Sequence, residues 1–288
     1  MKKINWNRFT YKVNHDFFKT WTPQMAYILG FTFADGNVYN RTLAWDLKED
    51  KELLLKINRA MDSTYPIKRG RASYRLRMHN PVIIHDIQKL GVNPNKTRNC
   101  RSPKISKPFQ RHFIRGVFDG DGWIYMRKKR NEISTGFSNG SRSFLEDIVG
   151  MLNEFLNLTT NHVRERRKIT RSGKKALVYQ LDYYCTNALK ILKFMYGDLI
   201  PQDLFMERKY KKYLEVKEFY EYILSGGRKY REVQKKYGDM KDLLYKLLIE
   251  EWLDGVQIAK KLGVHSSSIY RWLAKTGVRV QSPKKSDG

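Results

Sequence analysis

Cysteine is nearly missing from this chain: Cys100 and Cys185 are the only two in 288 residues. Two thiols build neither a disulfide framework nor a zinc site, which suits a reducing cytosol. The six histidines form no ligand-spaced cluster, and His79 and His85 fall on different predicted elements. No apolar run approaches the roughly 20 residues of a spanning helix, and no signal-peptide core stands at the N-terminus. No membrane role is expected, and the expected location is the cytoplasm beside the nucleoid. Acids are also short. Twenty-nine aspartates and glutamates face 56 lysines and arginines, a formal net charge of +27. An anionic partner follows, and with membranes set aside it is nucleic acid. The surplus is spread along the chain, with 42 basic and 22 acidic residues in 1–224 and 14 and 7 in 225–288. A disordered polybasic tail would concentrate it, so both regions read as facing phosphate.

What is present is a repeat. Ile28-Leu29-Gly30-Phe31-Thr32-Phe33-Ala34-Asp35-Gly36 and Ile114-Arg115-Gly116-Val117-Phe118-Asp119-Gly120-Asp121-Gly122 share the pattern apolar-x-Gly-x-x-x-small-Asp-Gly. Internal repeats at this scale decide the fold. Thr22 can cap the first helix, with Pro23 at its first position. Ala26, Gly30 and Ala34 recur every four residues, and Gly116 and Gly120 repeat the stripe after Pro108. Small residues let two helix backbones approach closely, although each interior glycine costs a helix about 1 kcal/mol. Packing alone does not ask for Asp-Gly at the end of each stripe. Two such helices side by side would bring two carboxylates together, a cage for hard divalent cations.

Behind each motif the pattern runs in the same order. The first copy predicts strands at 37–41 and 43–48, a helix over 50–61, a hairpin at 66–79 and a helix over 81–90. The second predicts strands at 123–130 and 132–138, a helix over 141–157, strands at 162–170 and 175–184, and a helix over 187–197. A closing helix over 203–224 leads to Ser225-Gly226-Gly227, read as a linker. Each unit is αββαββα, so the expected class is α+β, with two saddle-shaped antiparallel sheets related by a pseudo-twofold and a small all-α domain behind them. The expected domains are 1–105, 106–224 and 225–288.

The motif pair resembles the LAGLIDADG homing endonucleases in their single-chain, two-motif form, and Thr22-Pro23-Gln24-Met25-Ala26-Tyr27 resembles phage and bacterial members. The likeness covers roughly residues 20–215. It implies a metal-dependent, site-specific double-strand DNA endonuclease, using Mg2+ or Mn2+, in which Asp35 and Asp121 are the metal-bridging acids and the carbonyls of Ala34 and Gly120 complete the oxygen shell. Phe33 replaces the earlier motif acid that the second copy keeps as Asp119; in this family that acid is not the metal ligand. The family also places a lysine near each metal. Gly91-Val92-Asn93-Pro94-Asn95-Lys96-Thr97 is similar to its Gly…Lys-Ser/Thr stretch, which makes Lys96 one candidate, and Arg208-Lys209 makes Lys209 the other. Glu49 and Asn139 fall where a polar pocket residue is often kept.

Chemistry supports that direction. Phosphodiester hydrolysis needs an activated water, relief of charge on the transition state and help for the departing oxygen, and paired divalent ions supply all three. Carboxylates at a helix C-terminus are unfavourable without a cation, because the dipole there is already negative. Recognition is expected from strand faces on which Arg75 and Arg77, and then Arg164, Arg166 and Lys168, alternate outwards, as a ribbon in a major groove must. Ile258-Ala259 and Leu262-Gly263-Val264, followed by Ile269 and Trp272, read as a helix-turn-helix. Ser266, Ser267, Tyr270 and Arg271 would then face DNA. The expected molecule is a monomer on a long asymmetric duplex, associated with an intron, an intein or a free-standing mobile element. A non-cleaving transcriptional regulator and an intron maturase on the same fold are the alternatives.

Overall fold

The computed structural model describes residues 10–94, 100–158, 162–169, 173, 175–224 and 227–278. Lys96 and residues 225–226, part of the expected linker, lie outside them. The chain divides into two compact units, Met1–Val216 and Lys217–Gly288.

In the first unit, Thr22 Oγ1 accepts from the Met25 amide at 3.0 Å and opens α1 (Pro23–Asp35). Then come β1 (Gly36–Tyr39), β2 (Thr42–Leu47), α2 (Lys51–Ala60), β3 (Ile67–Arg69), β4 (Tyr74–His79) and α3 (Pro81–Lys89). The second repeat follows as α4 (Lys107–Asp121), β5 (Gly122–Arg127), β6 (Glu132–Asn139), α5 (Arg142–Asn153), β7 (Val163–Ile169), β8 (Lys175–Tyr184) and α6 (Cys185–Tyr196). Each repeat makes one four-stranded antiparallel sheet, in the orders β1-β2-β4-β3 and β5-β6-β8-β7. The identical strand order is the duplication expected from the motifs.

Period-2 alternation sorts the sheet faces. Leu43, Trp45, Leu47, Leu76 and Met78 are buried beneath the first sheet, and Ile133, Phe137, Leu181 and Tyr183 beneath the second. The closing helix α7 (Glu207–Leu224) starts four residues later than the sequence suggests. The reason is Asp203, which is drawn into the core by Arg115 before the helix begins. The boundary between the two units falls inside α7, at Val216.

The second unit contains α8 (Gly227–Tyr237), α9 (Met240–Tyr245), a π-turn at Lys246–Glu250, α10 (Gly255–Leu262) and α11 (Ser266–Thr276). Its core gathers Tyr230, Leu244, Leu247, Ile258, Ile269 and Trp272. Gly227, expected in a linker, instead opens α8 with φ +67°.

Candidate functional site

Helices α1 and α4 lie parallel, backbone against backbone. A Cβ placed on Gly30 would stand 2.1 Å from the carbonyl oxygen of Phe113, and one on Gly116 would stand 2.1 Å from that of Tyr27. At the C-terminal end a Cβ on Gly120 would stand 2.3 Å from the Cβ of Ala34 and 3.4 Å from Cγ of Asp35. The glycine stripes therefore do what their spacing predicts, and they bring the two motif ends together. Asp35 is exposed and Asp121 half-buried. Asn139, at the end of β6, donates to Oδ2 of Asp121 at 3.1 Å. Glu49 is exposed.

Lys209 arrives from the first turns of α7 and is buried, with 6% of its surface exposed. Its Nζ donates to the carbonyl of Phe118 and, at 2.7 Å, to that of Gly122. These carbonyls belong to the last turn and the cap of α4, where helical partners run out, so Lys209 ties off the helix that carries Asp121. Burial pushes its ammonium down to about 8, against the pull of Asp119, Asp35 and Asp121, all of which favour the charged form. One lysine thus senses all three motif acids.

Asp119 is not at the surface. It is fully buried and accepts from the hydroxyls of Tyr27, at 2.7 Å, and Tyr196, and from the amide of Met206 at 2.8 Å. Burial raises its carboxyl above the usual range, although the charge of Lys209 and the three hydrogen bonds oppose this. Phe33, its counterpart in the first repeat, packs against Phe113 and Phe144 at centroid distances of 5.7 and 5.2 Å. A second buried network lies nearby. Arg115, fully buried, donates to the carbonyls of Leu204 and Met195 and to Asp203 at 2.9 Å. Burial would raise Asp203, but the hydrogen bond with His112 and the charge of Arg115 hold it well below the usual carboxylate range. Reading for ligands missed these anchors, although a lone arginine inside the apolar run Phe113–Phe118 was a visible signal of a buried partner.

Residues 108–193 match the family model described as LAGLIDADG-like domain. The chain carries a LAGLIDADG-like domain. Among curated proteins it is similar to the glutamine--fructose-6-phosphate aminotransferase of Methanocaldococcus jannaschii, 26% identical over 147 residues. That match covers 48% of this chain but only 13% of the relative, so the activity in that name stays with that protein. Among solved structures the chain is similar to I-DmoI in complex with DNA and calcium. There the identity is 15%, the TM-score 0.41, and the coverage 69% of this chain and 98% of that one. Full-length DUF199/WhiA from Thermatoga maritima matches at 15% identity and TM-score 0.41, over 91% of this chain and 94% of that one.

On the LAGLIDADG-like scaffold the outward sheet faces carry the cations expected there. Arg75 and Arg77 are exposed and lean on Asp46, at 2.8 and 3.7 Å. Arg164 and Arg166 are exposed on β7. Lys168 holds the same strand register, opposite Ala176, but its side chain lies outside the described ones. The two faces are not alike. Aligning the sheets by register sets Gln180 and Asp182 of β8 against Arg75 and Arg77 of β4. The second sheet therefore keeps its arginines on an edge strand, whereas the first has them on a central one.

In the second unit, Asp254 caps α10 through a capping box with Gln257, and Gly263 turns the chain with φ +65°. His265 caps α11. Ser267, Tyr270 and Arg271 are exposed and Ser266 is half-buried, whereas Ile269 and Trp272 are buried. Tyr270 rests on Gly255, where a Cβ would stand 2.8 Å from its ring. No described helix is long and apolar enough to cross a membrane.

Proposed function

We propose that this chain is a site-specific double-strand DNA endonuclease whose reacting centre lies between the ends of α1 and α4. The observation that carries this reading is the pair of motif acids brought together by backbone contact, with one buried lysine whose charge both acids favour. Among the described residues no group of three or more His, Cys, Asp and Glu side chains could hold a metal. Two carboxylates with the carbonyls of Ala34 and Gly120 nevertheless form the sparse, all-oxygen set that suits Mg2+ or Mn2+, ions that keep several waters and bind substrate phosphates. Bound there, such ions would supply an activated water and charge relief at the scissile phosphate.

The chain's own groups do the rest. Asn139 orients the Asp121 carboxylate. Lys209, charged below about pH 8, fixes the last turn of α4 and adds positive potential where negative charge develops on phosphate. Lys96 is the proposed counterpart in the first repeat. Arg75, Arg77, Arg164, Arg166 and Lys168 hold the duplex along the two sheets. Ser266, Ser267, Tyr270 and Arg271 extend the contact from a helix-turn-helix, so that a monomer covers a long asymmetric site. The proposed domains are 1–105, 106–224 and 225–288, and the setting is a mobile element acting at the nucleoid in the cytoplasm.

A duplex DNA library incubated without metal, with magnesium and with manganese tests this. Metal-dependent double-strand breaks at one sequence support it, and specific binding without breaks in either metal overturns it. The second outcome is what a non-cleaving regulator would give.

A further inference from the structure

The outer edge of the first sheet holds a concavity continuous with its arginine-bearing face. It encloses about 540 Å³ beside β3 and β4, and its lining includes Tyr11, Tyr65, Lys68, Arg69, Arg75 and Arg77. Small-molecule sites span about 300–1,000 Å³. The walls are built, not incidental. Residues 10–12 are tied to the chain before β3, with the Lys12 amide donating to Thr64 Oγ1 at 2.8 Å and the Thr64 amide to the Lys12 carbonyl at 3.0 Å. This sets the Tyr11 ring 5.1 Å from that of Tyr65, whose hydroxyl is fixed on the His79 carbonyl at 2.8 Å. Asp46 braces Arg75 and Arg77 from β2. Gly70 leaves room for the Arg75 guanidinium, which a Cβ there would meet at 3.3 Å.

The lining thus combines four cations, two of them braced by Asp46 from outside the groove, and an aromatic wall whose outer ring, Tyr11, is 38% exposed. Paired DNA offers phosphates and base edges, but no base face. An unstacked nucleotide offers both a face and phosphates, and bases stack readily on aromatic rings. Resting on the DNA-binding reading above, we propose that this groove receives one unstacked nucleotide of the bound duplex, its base against Tyr11 and its phosphates on Arg75 and Arg77. The register partners in the second sheet are Gln180 and Asp182, which cannot hold phosphate in the same way. The distortion is therefore confined to one half of the target.

The test is fluorescence anisotropy of the full chain with a labelled paired duplex, the same duplex carrying one unpaired thymidine, and thymidine 5′-monophosphate. The bulged duplex should bind about tenfold more tightly than the paired one. Tyr11→Leu should erase that preference, bringing the bulged duplex down to the affinity of the paired one, while Tyr11→Trp, which keeps an aromatic ring against Tyr65, should preserve or raise it. Equal affinity for both duplexes overturns the groove assignment and leaves the DNA reading standing. Binding to neither duplex overturns the DNA reading itself. Tight binding of the free mononucleotide without any bulge preference would reassign the groove to a soluble nucleotide, and the proposal would fall.

Discussion

Three residues before the closing glycine, the first repeat has Phe33 and the second has Asp119. Both are buried at the same turn of matching helices, yet one is held by the rings of Phe113 and Phe144 and the other by two tyrosine hydroxyls, a backbone amide and the charge of Lys209. The backbone path is the same, whereas the means of filling it are opposite. The difference shows that this position serves packing in both repeats, and the proposed chemistry falls to the acids two residues later. It also makes the second repeat the more demanding one, because a buried carboxylate is tolerated only while every donor stays in place.

The largest expected effect compares the two closing motif acids, Asp35 and Asp121. Asp35→Asn and Asp121→Asn should each lower double-strand cleavage by about a thousandfold or more, since several kcal/mol of metal-borne charge stabilisation go with either carboxylate. Specific binding, measured by gel shift, should persist. Equal losses would confirm a shared site; full cutting by either variant in magnesium removes that acid from the mechanism.

Exchanging the contrasting positions should act on stability. Asp119→Leu strands the Tyr27 and Tyr196 hydroxyls and the Met206 amide, and should cost about 3–5 kcal/mol in a denaturant titration. Asp119→Asn, which keeps an acceptor, should cost less. Phe33→Asp, placed among rings, should match the larger loss; if it is tolerated as well as Phe33→Leu, the two positions are not opposites after all.

The glycine contacts should respond alike in both repeats. Gly30→Ala and Gly116→Ala each drive a methyl against a carbonyl oxygen and should destabilise by about 1–3 kcal/mol while pushing the acids apart. A cost confined to one of them would show that the helix pair is not symmetric.

Lysine titration gives a smaller, graded effect. Lys209 is charged below about pH 8 and neutral above it. If the charged form serves the reaction, the cleavage rate falls as pH rises through that value, and Lys209→Arg moves the descending limb upward. A flat profile across that range would leave Lys209 as a purely structural tie. Smallest of all, Arg77→Ala should reduce the salt dependence of DNA affinity by about one phosphate contact, whereas Asp182→Ala, at the matching register, should leave the slope unchanged.

Much of this was legible in the chain. The αββαββα order, the two glycine stripes and the outward Arg75 and Arg77 follow from periodicity and spacing, because side-chain alternation and helix packing are local rules. The roles of Asp119, Arg115 and Lys209 were less legible for one physical reason. Their partners lie 77 to 92 residues away in sequence, and no local pattern states which hydroxyl or carbonyl will meet a buried charge. Asp203 shows the same limit: a helix expected from 203 begins at Glu207 because a distant arginine claims the acid first.

The contacts at Gly30 and Gly116 join main chain to main chain, with no side chain to wear away. Mutational drift elsewhere on the surface cannot loosen such a joint, because what it matches is backbone. The outward sheet faces, by contrast, are made of side chains, and they have already diverged, arginines on β4 against glutamine and aspartate on β8. A lineage built this way can change its outward faces one residue at a time while the spacing of its two acids stays inherited. For protein engineers the same division marks where to diversify and where to leave the chain alone.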